Sequence, residues 1–470
     1  MKIIIVGAGR VGSSVAEALV SEANDITVID TDVNRVTELQ DRFDLRGLVG
    51  NAALPSTLRQ AGADDADMLI AVTAGDEINL VACKIAADLF NIPTRIARVR
   101  NVELQQHPAL IGEGGFGASH VIFPEQTVTD YLLKLIEFPE ALQVLEFADG
   151  RASLIAVRAF AGGPLVSHPI KDLRRHIPNV DTRIVAIFRN EAAVRVDGDT
   201  FVQPGDEVFF LAASQNIRMV MSELRRMDKP VRRVIIAGGG NIGLRLARAL
   251  DTGEGLDVAD RFNVRIIEAN KRRAEVLARE LSSHVLVLHG DATDEDLLIQ
   301  EGVQDSDLFF ALTNDDENNI MSSLLAKRLG ARRVIALINR KSYGDLMQGG
   351  QIDIAVSPSY ATLSALLRFV RRGDVVVAHS LRRGAAEALE LIVHGDEKSS
   401  RIVGKSIEQI ELPRGATIGA VVRGKGDGTQ VLMAHHDVVV QAEDHLIVFV
   451  ENKRIIPRVE KLFSVGIGFF

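Results

Sequence analysis

The stretch that decides the fold is MKIIIVGAGRVGSSVAEALV, residues 1–20, in which an apolar run leads into the pattern G-x-G-x-x-G. The apolar run predicts a buried strand, and the residues after the glycines predict a helix. In such a turn the first glycine bends the chain tightly and the second lets a pyrophosphate approach the backbone. The third lets the helix pack closely against the strand. The stretch therefore predicts the opening of a Rossmann-like domain that binds a nucleotide.

The same sequence pattern recurs in the second half of the chain. Residues 234–243 read VIIAGGGNIG, again an apolar run followed by G-x-G-x-x-G. Further matches follow in order, namely ITVID (26–30) with VRIIE (264–268), MLIAVTAGDEINL (68–80) with LFFALTNDDENNI (308–320), and VIFPEQ (121–126) with IAVSPS (354–359). Agreement at so many ordered points predicts that the chain is two tandem copies of one unit.

Each copy predicts two domains of different kind. About six apolar segments alternate with helical segments, which is typical of a doubly wound parallel sheet. Residues 151–213 and 387–450 instead contain short alternating runs that predict small β-rich domains. The predicted fold class is therefore α/β, with two Rossmann-like doubly wound parallel sheets, each followed by a small α+β domain. The predicted domains are residues 1–138, 139–226, 231–372 and 373–458.

Composition limits the partners and the compartment. The net charge of −9 disfavours nucleic acid as a partner. The single cysteine, Cys83, excludes an intramolecular disulfide and suits a reducing cytoplasm, and its apolar neighbours indicate a core residue. No uncharged apolar run reaches the roughly 18 residues needed to cross a bilayer, and no secretory signal precedes the first strand. We expect a protein that is soluble or held at a membrane by a partner.

The candidate nucleotide site of the first copy contains the glycine turn and polar residues at the ends of strands. A carboxylate at the end of the second strand accepts hydrogen bonds from ribose hydroxyls and repels a 2′-phosphate. It therefore favours NAD(H) or ATP/ADP over NADP, although such an acid could also simply cap the next helix. Arginines near the turn could bind phosphates. The candidate residues are Gly7, Gly9, Arg10, Val11, Gly12, Asp30, Asn51, Thr73, Arg98 and Arg100.

The second copy keeps the glycines and the acid and loses the arginines. Asn241, Leu337 and Asn339 stand where the first copy has Arg10, Arg98 and Arg100. We therefore expect the second site to be weaker or to favour a different nucleotide. The candidate residues are Gly238, Gly240, Asn241, Ile242, Gly243, Glu268, Asp291 and Thr313.

No residue pattern indicates catalysis or a bound metal. A dehydrogenase needs a substrate domain with a general acid or base beside the nicotinamide, and we find none. The cluster His435-His436-Asp437 could not place both imidazoles on one metal if the segment is extended. We therefore predict a regulator without catalytic residues. The alternatives are an NAD-dependent oxidoreductase of unknown substrate and a scaffold whose glycine turns are only structural.

The tandem motifs GAGRVG, ITVID, GNA and AVTAGDEINL, each copy followed by a small β domain with a PGD-like turn, resemble the TrkA family over essentially the whole chain. That family consists of paired RCK (regulator of K⁺ conductance) domains and regulates the bacterial Trk potassium uptake system. The resemblance implies a homotetrameric ring, cytoplasmic and peripheral on the inner face of the membrane. It also implies a TrkH- or TrkG-type membrane subunit as partner, and NAD(H) and/or ATP/ADP as regulatory ligands.

Overall fold

The computed structural model describes residues 1–20, 24–190, 192–226, 229–253, 262–340, 342–343, 352–370, 375–381, 386–424 and 428–463. In this part of the chain two parallel sheets alternate with two antiparallel sheets. The predicted fold class is thereby confirmed. The predicted border between residues 372 and 373 and the last residues of the chain lie outside the described residues.

The first parallel sheet has six strands in the order β3-β2-β1-β4-β5-β6. Its central strands are buried on both faces because helices cover each side, which explains their uninterrupted apolar character. The strands are β1 Lys2–Val6, β2 Asp25–Asp30, β3 Arg46–Val49, β4 Met68–Ala71, β5 Thr94–Arg98 and β6 His120–Ile122. The helices are Arg10–Val20, Val33–Arg42, Pro55–Gln60, Asp76–Asp88, Val102–Gln105, Pro108–Ile111 and Pro124–Glu137, with a 3-10 turn at Ala63–Asp65.

The first antiparallel sheet has five strands in the order β10-β9-β11-β8-β7. Its strands are β7 Ala141–Phe147, β8 Ala152–Arg158, β9 Thr182–Arg189, β10 Ala192–Val194 and β11 Glu207–Ala213. Its helices are Leu173–His176 and Ile217–Leu224, with 3-10 turns at Ile170–Asp172 and Ser214–Asn216. The PGD turn before β11 is held by Asp206, whose carboxylate is 1% exposed and accepts two hydrogen bonds from Arg189 at 2.8 and 2.9 Å.

The second parallel sheet repeats the first, in the order β14-β13-β12-β15-β16-β17. The strands are β12 Arg233–Ala237, β13 Asn263–Glu268, β14 Val285–His289, β15 Leu308–Ala311, β16 Arg333–Leu337 and β17 Ile354–Val356. The helices are Asn241–Thr252, Lys271–Glu280, Glu295–Gln300, Asp316–Leu329 and Pro358–Val370, with a 3-10 turn at Val303–Asp305. The duplication predicted from the glycine turns therefore extends to the strand order of both sheets.

One predicted alignment between the copies is wrong by one residue. Val121 pairs with Ala97 in the first sheet, and Ala355 pairs with Ala336 in the second. Val121 therefore corresponds to Ala355 and not to Ile354. The corrected register places the proline that begins the next helix at the same position in both copies. Short strands with similar apolar letters do not determine their own register, and the neighbouring strand decides it.

The second antiparallel sheet has the order β18-β19-β22-β20-β21. This is the order of the first small sheet read from its opposite edge, from β7 to β10. Its strands are β18 Val375–Leu381, β19 Ala386–Ile392, β20 Ala416–Arg423, β21 Gln430–Met433 and β22 His445–Val450. The helix Ile456–Phe463 and the 3-10 turns Ile407–Gln409 and Lys453–Ile455 complete it. Asp444, 1% exposed, accepts two hydrogen bonds from Arg423, as Asp206 does from Arg189.

The two small sheets share one apolar core. Phe209 of the first sheet and Phe449 of the second are almost fully buried, and their ring centroids lie 5.7 Å apart. Gly419 in β20 leaves space for the other sheet, because a Cβ atom there would lie 2.9 Å from Leu211 Cδ2. The small domains thus pack on each other face to face.

By their contacts the residues form two units, 1–128 with 357–366 and 129–356 with 367–470. The division runs through both long helices, Pro124–Glu137 and Pro358–Val370. The first part of Pro358–Val370 thus packs with the first Rossmann domain. Among the described residues, no helix is both long enough and apolar enough to span a bilayer.

Candidate functional site

The two glycine turns have the same geometry. Gly7 has φ of +105° and Gly238 has φ of +103°, in the left-handed region that favours glycine. A Cβ atom on Gly12 would lie 1.8 Å from the carbonyl oxygen of Gly7, and one on Gly243 would lie 2.0 Å from that of Gly238. The first and third glycines of each motif are thus required by the turn and by the contact between helix and strand.

The middle glycines have a different surrounding. A Cβ atom on Gly9 or Gly240 would meet no atom within 4 Å, so packing does not require glycine there. The open space lies at the start of the helices Arg10–Val20 and Asn241–Thr252. The first N–H groups of a helix have no partner within the helix and carry a partial positive charge. The space beside each middle glycine therefore suits a phosphate group.

The two acids predicted to bind ribose brace the glycine turns. Asp30 accepts a hydrogen bond from Ala8 N at 2.6 Å and from Asp32 N at 2.9 Å. Glu268 accepts one from Gly239 N and one from Asn270 N, both at 2.8 Å. Each carboxylate oxygen keeps a second lone pair for a ribose hydroxyl.

Neither acid caps the following helix. Asp32 caps Val33–Arg42 through Asn34 N, and Asn270 caps Lys271–Glu280 through Arg273 N. The carboxylates of Asp30 and Glu268 are instead directed to the glycine turn.

Arg98 and Arg100 lie at the carboxyl end of β5, at the same sheet edge as the first glycine turn. Arg98 Nε is buried and has no hydrogen-bond partner. Burial lowers the pKa of the Arg98 guanidinium, and the like charge of Arg100 lowers it further. Arg100 Nε donates to Glu125 at 2.8 Å, and Glu125 is 5% exposed. Of the two arginines, Arg98 has the donor that an anionic ligand would satisfy.

In the second copy all three residues of this charged group, Arg98, Arg100 and Glu125, are replaced by uncharged residues. Leu337 takes the position of Arg98 and is 4% exposed. Asn339 takes the position of Arg100 and donates from its side chain to Asp316 at 2.9 Å. In the corrected register Ser359 corresponds to Glu125, so the ion pair of the first copy is lost on both sides.

Thr73 and Thr313 lie after β4 and β15 and are hydrogen-bonded within the protein. Each hydroxyl bonds to a buried asparagine, Asn79 at 2.7 Å and Asn319 at 2.6 Å. The asparagine amides also donate to the carbonyl at the end of the next strand, Arg98 O at 2.9 Å in the first copy. The threonines therefore brace neighbouring strands, and each keeps acceptor capacity for a ligand.

Sequence reasoning missed these asparagines and a pair of buried aspartates. Asp76 accepts from the backbone N–H groups of Arg100 and Asn101, and Asp316 does the same for Asn339 and Arg340. The signal was present, because Asp-Glu-x-Asn begins the helix in both copies. Each helix start is thus tied to the strand end that carries the arginines or their replacements.

The remaining predicted residues lie at the mouths of the two sites. Arg10 and Asn241 are exposed first residues of their helices, followed by Val11, which is buried, and Ile242, which is half-buried. Asn51 accepts from Ala53 N at 2.9 Å. Asp291 accepts from Thr293 N at the same distance. Both side chains shape the turn after the third strand, and Asp291 adds a negative charge there.

The histidine cluster and the cysteine serve the core and the small domains. His436 and Asp437 form a turn, and His435 Nε2 lies 2.7 Å from Asp181 Oδ1 of the first small domain. Across the described ranges no three His, Cys, Asp or Glu side chains are placed to hold a metal ion. Cys83 is buried, and burial raises the pKa of its thiol to about 12.

Family models match both copies of the repeat. The TrkA-N domain matches residues 3–124 and 234–358, and the TrkA-C domain matches residues 154–225 and 397–464. The Trk system potassium uptake protein TrkA of Halomonas elongata is 54% identical over 470 residues, with 100% of both chains covered. The protein of the same name from Vibrio alginolyticus is 51% identical over 465 residues, covering 99% of each chain.

Solved structures share the fold at low sequence identity. The GsuK RCK domain has a TM-score of 0.60 at 17% identity, covering 98% of this chain and 95% of its own. The GsuK channel bound to NAD has a TM-score of 0.59 at 17% identity, covering 98% and 79%. These similarities extend over both copies and both types of domain.

Proposed function

The chain belongs to the TrkA family of Trk system potassium uptake proteins, and from this premise we propose that nucleotides bound in its Rossmann domains regulate potassium uptake. The full-length match to proteins of that name assigns the chain to potassium transport. The nucleotide dependence is our inference from the sites. The observation that carries it is the buried, unpartnered Arg98 Nε at the sheet edge of the first glycine turn.

The ligands we propose are NAD(H) and ATP/ADP. The open space beside Gly9, the helix start at Arg10 and the Arg98 donor together suit a chain of phosphates. The carboxylates of Asp30 and Glu268 favour a free 2′-hydroxyl over a 2′-phosphate. The GsuK channel, which shares the fold, is described as bound to NAD.

The two sites differ in charge, and we propose that the first binds phosphorylated ligands more tightly. The second lacks the arginines and has Asp291 where the first has Asn51. The helix after β15 is already capped by Asp315, whose carboxylate accepts from Asn318 N at 2.7 Å. The equivalent helix of the first copy begins after Gly75 without a side-chain cap. The second copy thus has the carboxylates of Asp291 and Asp315 where the first has Asn51 and Gly75.

We propose that the chain acts as a homotetrameric ring on the cytoplasmic face of the membrane, bound to a TrkH- or TrkG-type potassium-translocating subunit, without catalysis. A nucleotide can shift the balance between two shapes of such a ring only by its difference in affinity for them. Two sites of unequal charge allow two ligands to act on one polypeptide.

Calorimetric titration with NADH, NAD, ATP, ADP and NADP tests the proposal. We expect binding of at least one of the first four at sub-millimolar concentration and weaker binding of NADP. Asp30→Ala should weaken that binding about tenfold or more, because it removes a charged acceptor of ribose hydroxyls. Asp32→Ala, which removes a nearby carboxylate that caps the helix, is the matched control and should leave the affinity unchanged.

Two results would contradict the proposal. If none of the nucleotides binds, regulation by nucleotides is wrong. If the pure protein oxidises NADH in the presence of a substrate, the chain is an oxidoreductase.

Potassium flux into vesicles that contain the membrane subunit and this chain, with and without the bound nucleotide, measures regulation directly.

A further inference from the structure

The joint between the helix Pro124–Glu137 and strand β7 is held by side chains from three directions. Arg218 donates to Glu137 O at 2.8 Å, and Tyr131 donates to Leu142 O at 3.2 Å. Between these two carbonyls, Ala141 O accepts from Arg333 at 2.7 Å. Arg225 also approaches the joint, with its Nη1 3.5 Å from Glu140 O. Side-chain donors thus hold the carbonyls on both sides of the point where the first small domain begins.

Arg333 is the donor that reaches the joint from the second Rossmann domain. Burial lowers the pKa of its guanidinium to about 10, opposed by the charges of Asp353 and Glu140. Burial also raises the pKa of Tyr131. The carboxylate of Asp353 accepts from Val334 N at 2.8 Å and from Lys327 Nζ at 2.8 Å, which holds the start of β16 in place. Partly buried donors fixed in this way leave the joint little freedom.

Strand β16 connects Arg333 to the second nucleotide site. It is paired on both sides, with β15 and with β17, and spans about 13 Å at the usual rise of a strand. At its far end Leu337 O accepts from Asn319 Nδ2 at 2.8 Å, and Asn319 also holds Thr313. A shift of this end on ligand binding therefore reaches Arg333 through a stiff element.

The positions that correspond to these side chains in the opposite copy carry other residues. Thr94 corresponds to Arg333, and Ser119 corresponds to Asp353, in the register set by the strands. Ala365 corresponds to Tyr131, counted from the proline that begins each helix. The strand order of the parallel sheet is the same in both copies, so the fold does not require these side chains.

We propose that Arg333 and Tyr131 form a coupling joint that transmits occupancy of the second nucleotide site to the first small domain. The proposal rests on the proposed binding of nucleotide in the second Rossmann domain. Through the hydrogen bond from Arg333 to Ala141 O, that domain directly contacts the backbone at the start of β7.

The test uses the full chain carrying Gly9→Asp, which places a carboxylate in the open space of the first site and leaves the second site as the nucleotide sensor. Hydrogen exchange is measured with and without ADP, and with NADH in parallel. Protection of residues 238–243 reports binding, and protection of residues 141–158 reports the first small domain. The variants are Arg333→Met, Tyr131→Phe and the control Arg265→Met, which alters an arginine on β13 that bonds to Glu301.

The parent is the chain that carries Gly9→Asp alone, and the other variants are made in it. We expect nucleotide to protect residues 238–243 from hydrogen exchange in every variant. We expect it to change the protection of residues 141–158 in the parent and in Arg265→Met. That second change should be lost in Arg333→Met and in Tyr131→Phe, with the nucleotide affinity altered by less than about threefold. If circular dichroism shows that Arg333→Met does not fold, Tyr131→Phe tests the coupling by itself, because it removes only a single oxygen atom.

The two ways of failing are distinct. If no nucleotide protects residues 238–243, binding at the second site is wrong and the coupling joint falls with it. If nucleotide protects those residues but residues 141–158 do not respond in the parent, or still respond in both joint variants, the coupling joint is wrong and binding stands.

Discussion

At the scale of single residues, most polar groups of the candidate site also have a role in the fold. Asp30 and Glu268 were predicted to bind ribose, and each also accepts two backbone hydrogen bonds that hold its glycine turn. Thr73 and Thr313 were predicted as ligand contacts and are bonded to buried asparagines. Arg98 differs from all of these, because its buried Nε has no partner in the fold.

The first prediction concerns Arg98. Arg98→Met should weaken the binding of ADP or NADH at the first site by about ten- to a hundredfold, the range expected for a lost charged hydrogen bond. It should not lower the free energy of unfolding, because the fold leaves that donor unsatisfied. Titration calorimetry and denaturant unfolding measure the two quantities.

The matched control is Leu337→Met, which alters the corresponding position of the second copy with little change in volume. It should leave the affinity of the first site unchanged. A loss of stability in Arg98→Met with unchanged affinity would show that the arginine serves the fold and not the ligand.

At the scale of elements, the three glycines of each motif differ in backbone conformation and in what surrounds them. The third glycine permits the helix Arg10–Val20 to lie against the turn, and a Cβ atom there would overlap Gly7 O. The middle glycine faces open space. The motif therefore contains two positions at which the fold requires glycine and a middle one at which packing does not.

This division predicts opposite effects for two alanine substitutions. Gly12→Ala should lower the free energy of unfolding by about 3 kcal/mol or more, because its Cβ forces helix and turn apart. Gly9→Ala should change it by less than about 1 kcal/mol and should weaken nucleotide binding. Thermal unfolding and calorimetry on the same samples measure both effects. Equal loss of stability in the two variants would contradict this assignment.

At the scale of the whole molecule, each small domain completes its core with the other. Phe209, Leu211 and Phe449 lie in an apolar layer shared by the two sheets. Neither sheet buries that face by itself, so the small domains stabilise each other. The PGD-like turns lead into the central strands of these sheets, β11 and β22, and their aspartates Asp206 and Asp444 bond to arginines.

The shared core predicts a large effect for Phe449→Ala. Removing this buried ring should lower the free energy of unfolding by about 3–5 kcal/mol and reduce protection from hydrogen exchange in both small domains. Phe201→Ala is the control, because Phe201 is 53% exposed and its loss should cost less than about 0.5 kcal/mol. If Phe449→Ala affected only the second small domain, the two sheets would not share a core in solution.

The sequence alone determined the duplication, the class of each domain and the glycine turns, because these depend on local patterns. Apolar periodicity and glycines at fixed spacing act within about twenty residues of chain. Tertiary structure alone decided the one-residue shift between the copies at β6 and β17, the unsatisfied Arg98 donor and the hydrogen bond from Arg333 to Ala141 O. Each of these depends on groups far apart in the chain, and only the packing of strands and helices sets which of them meet.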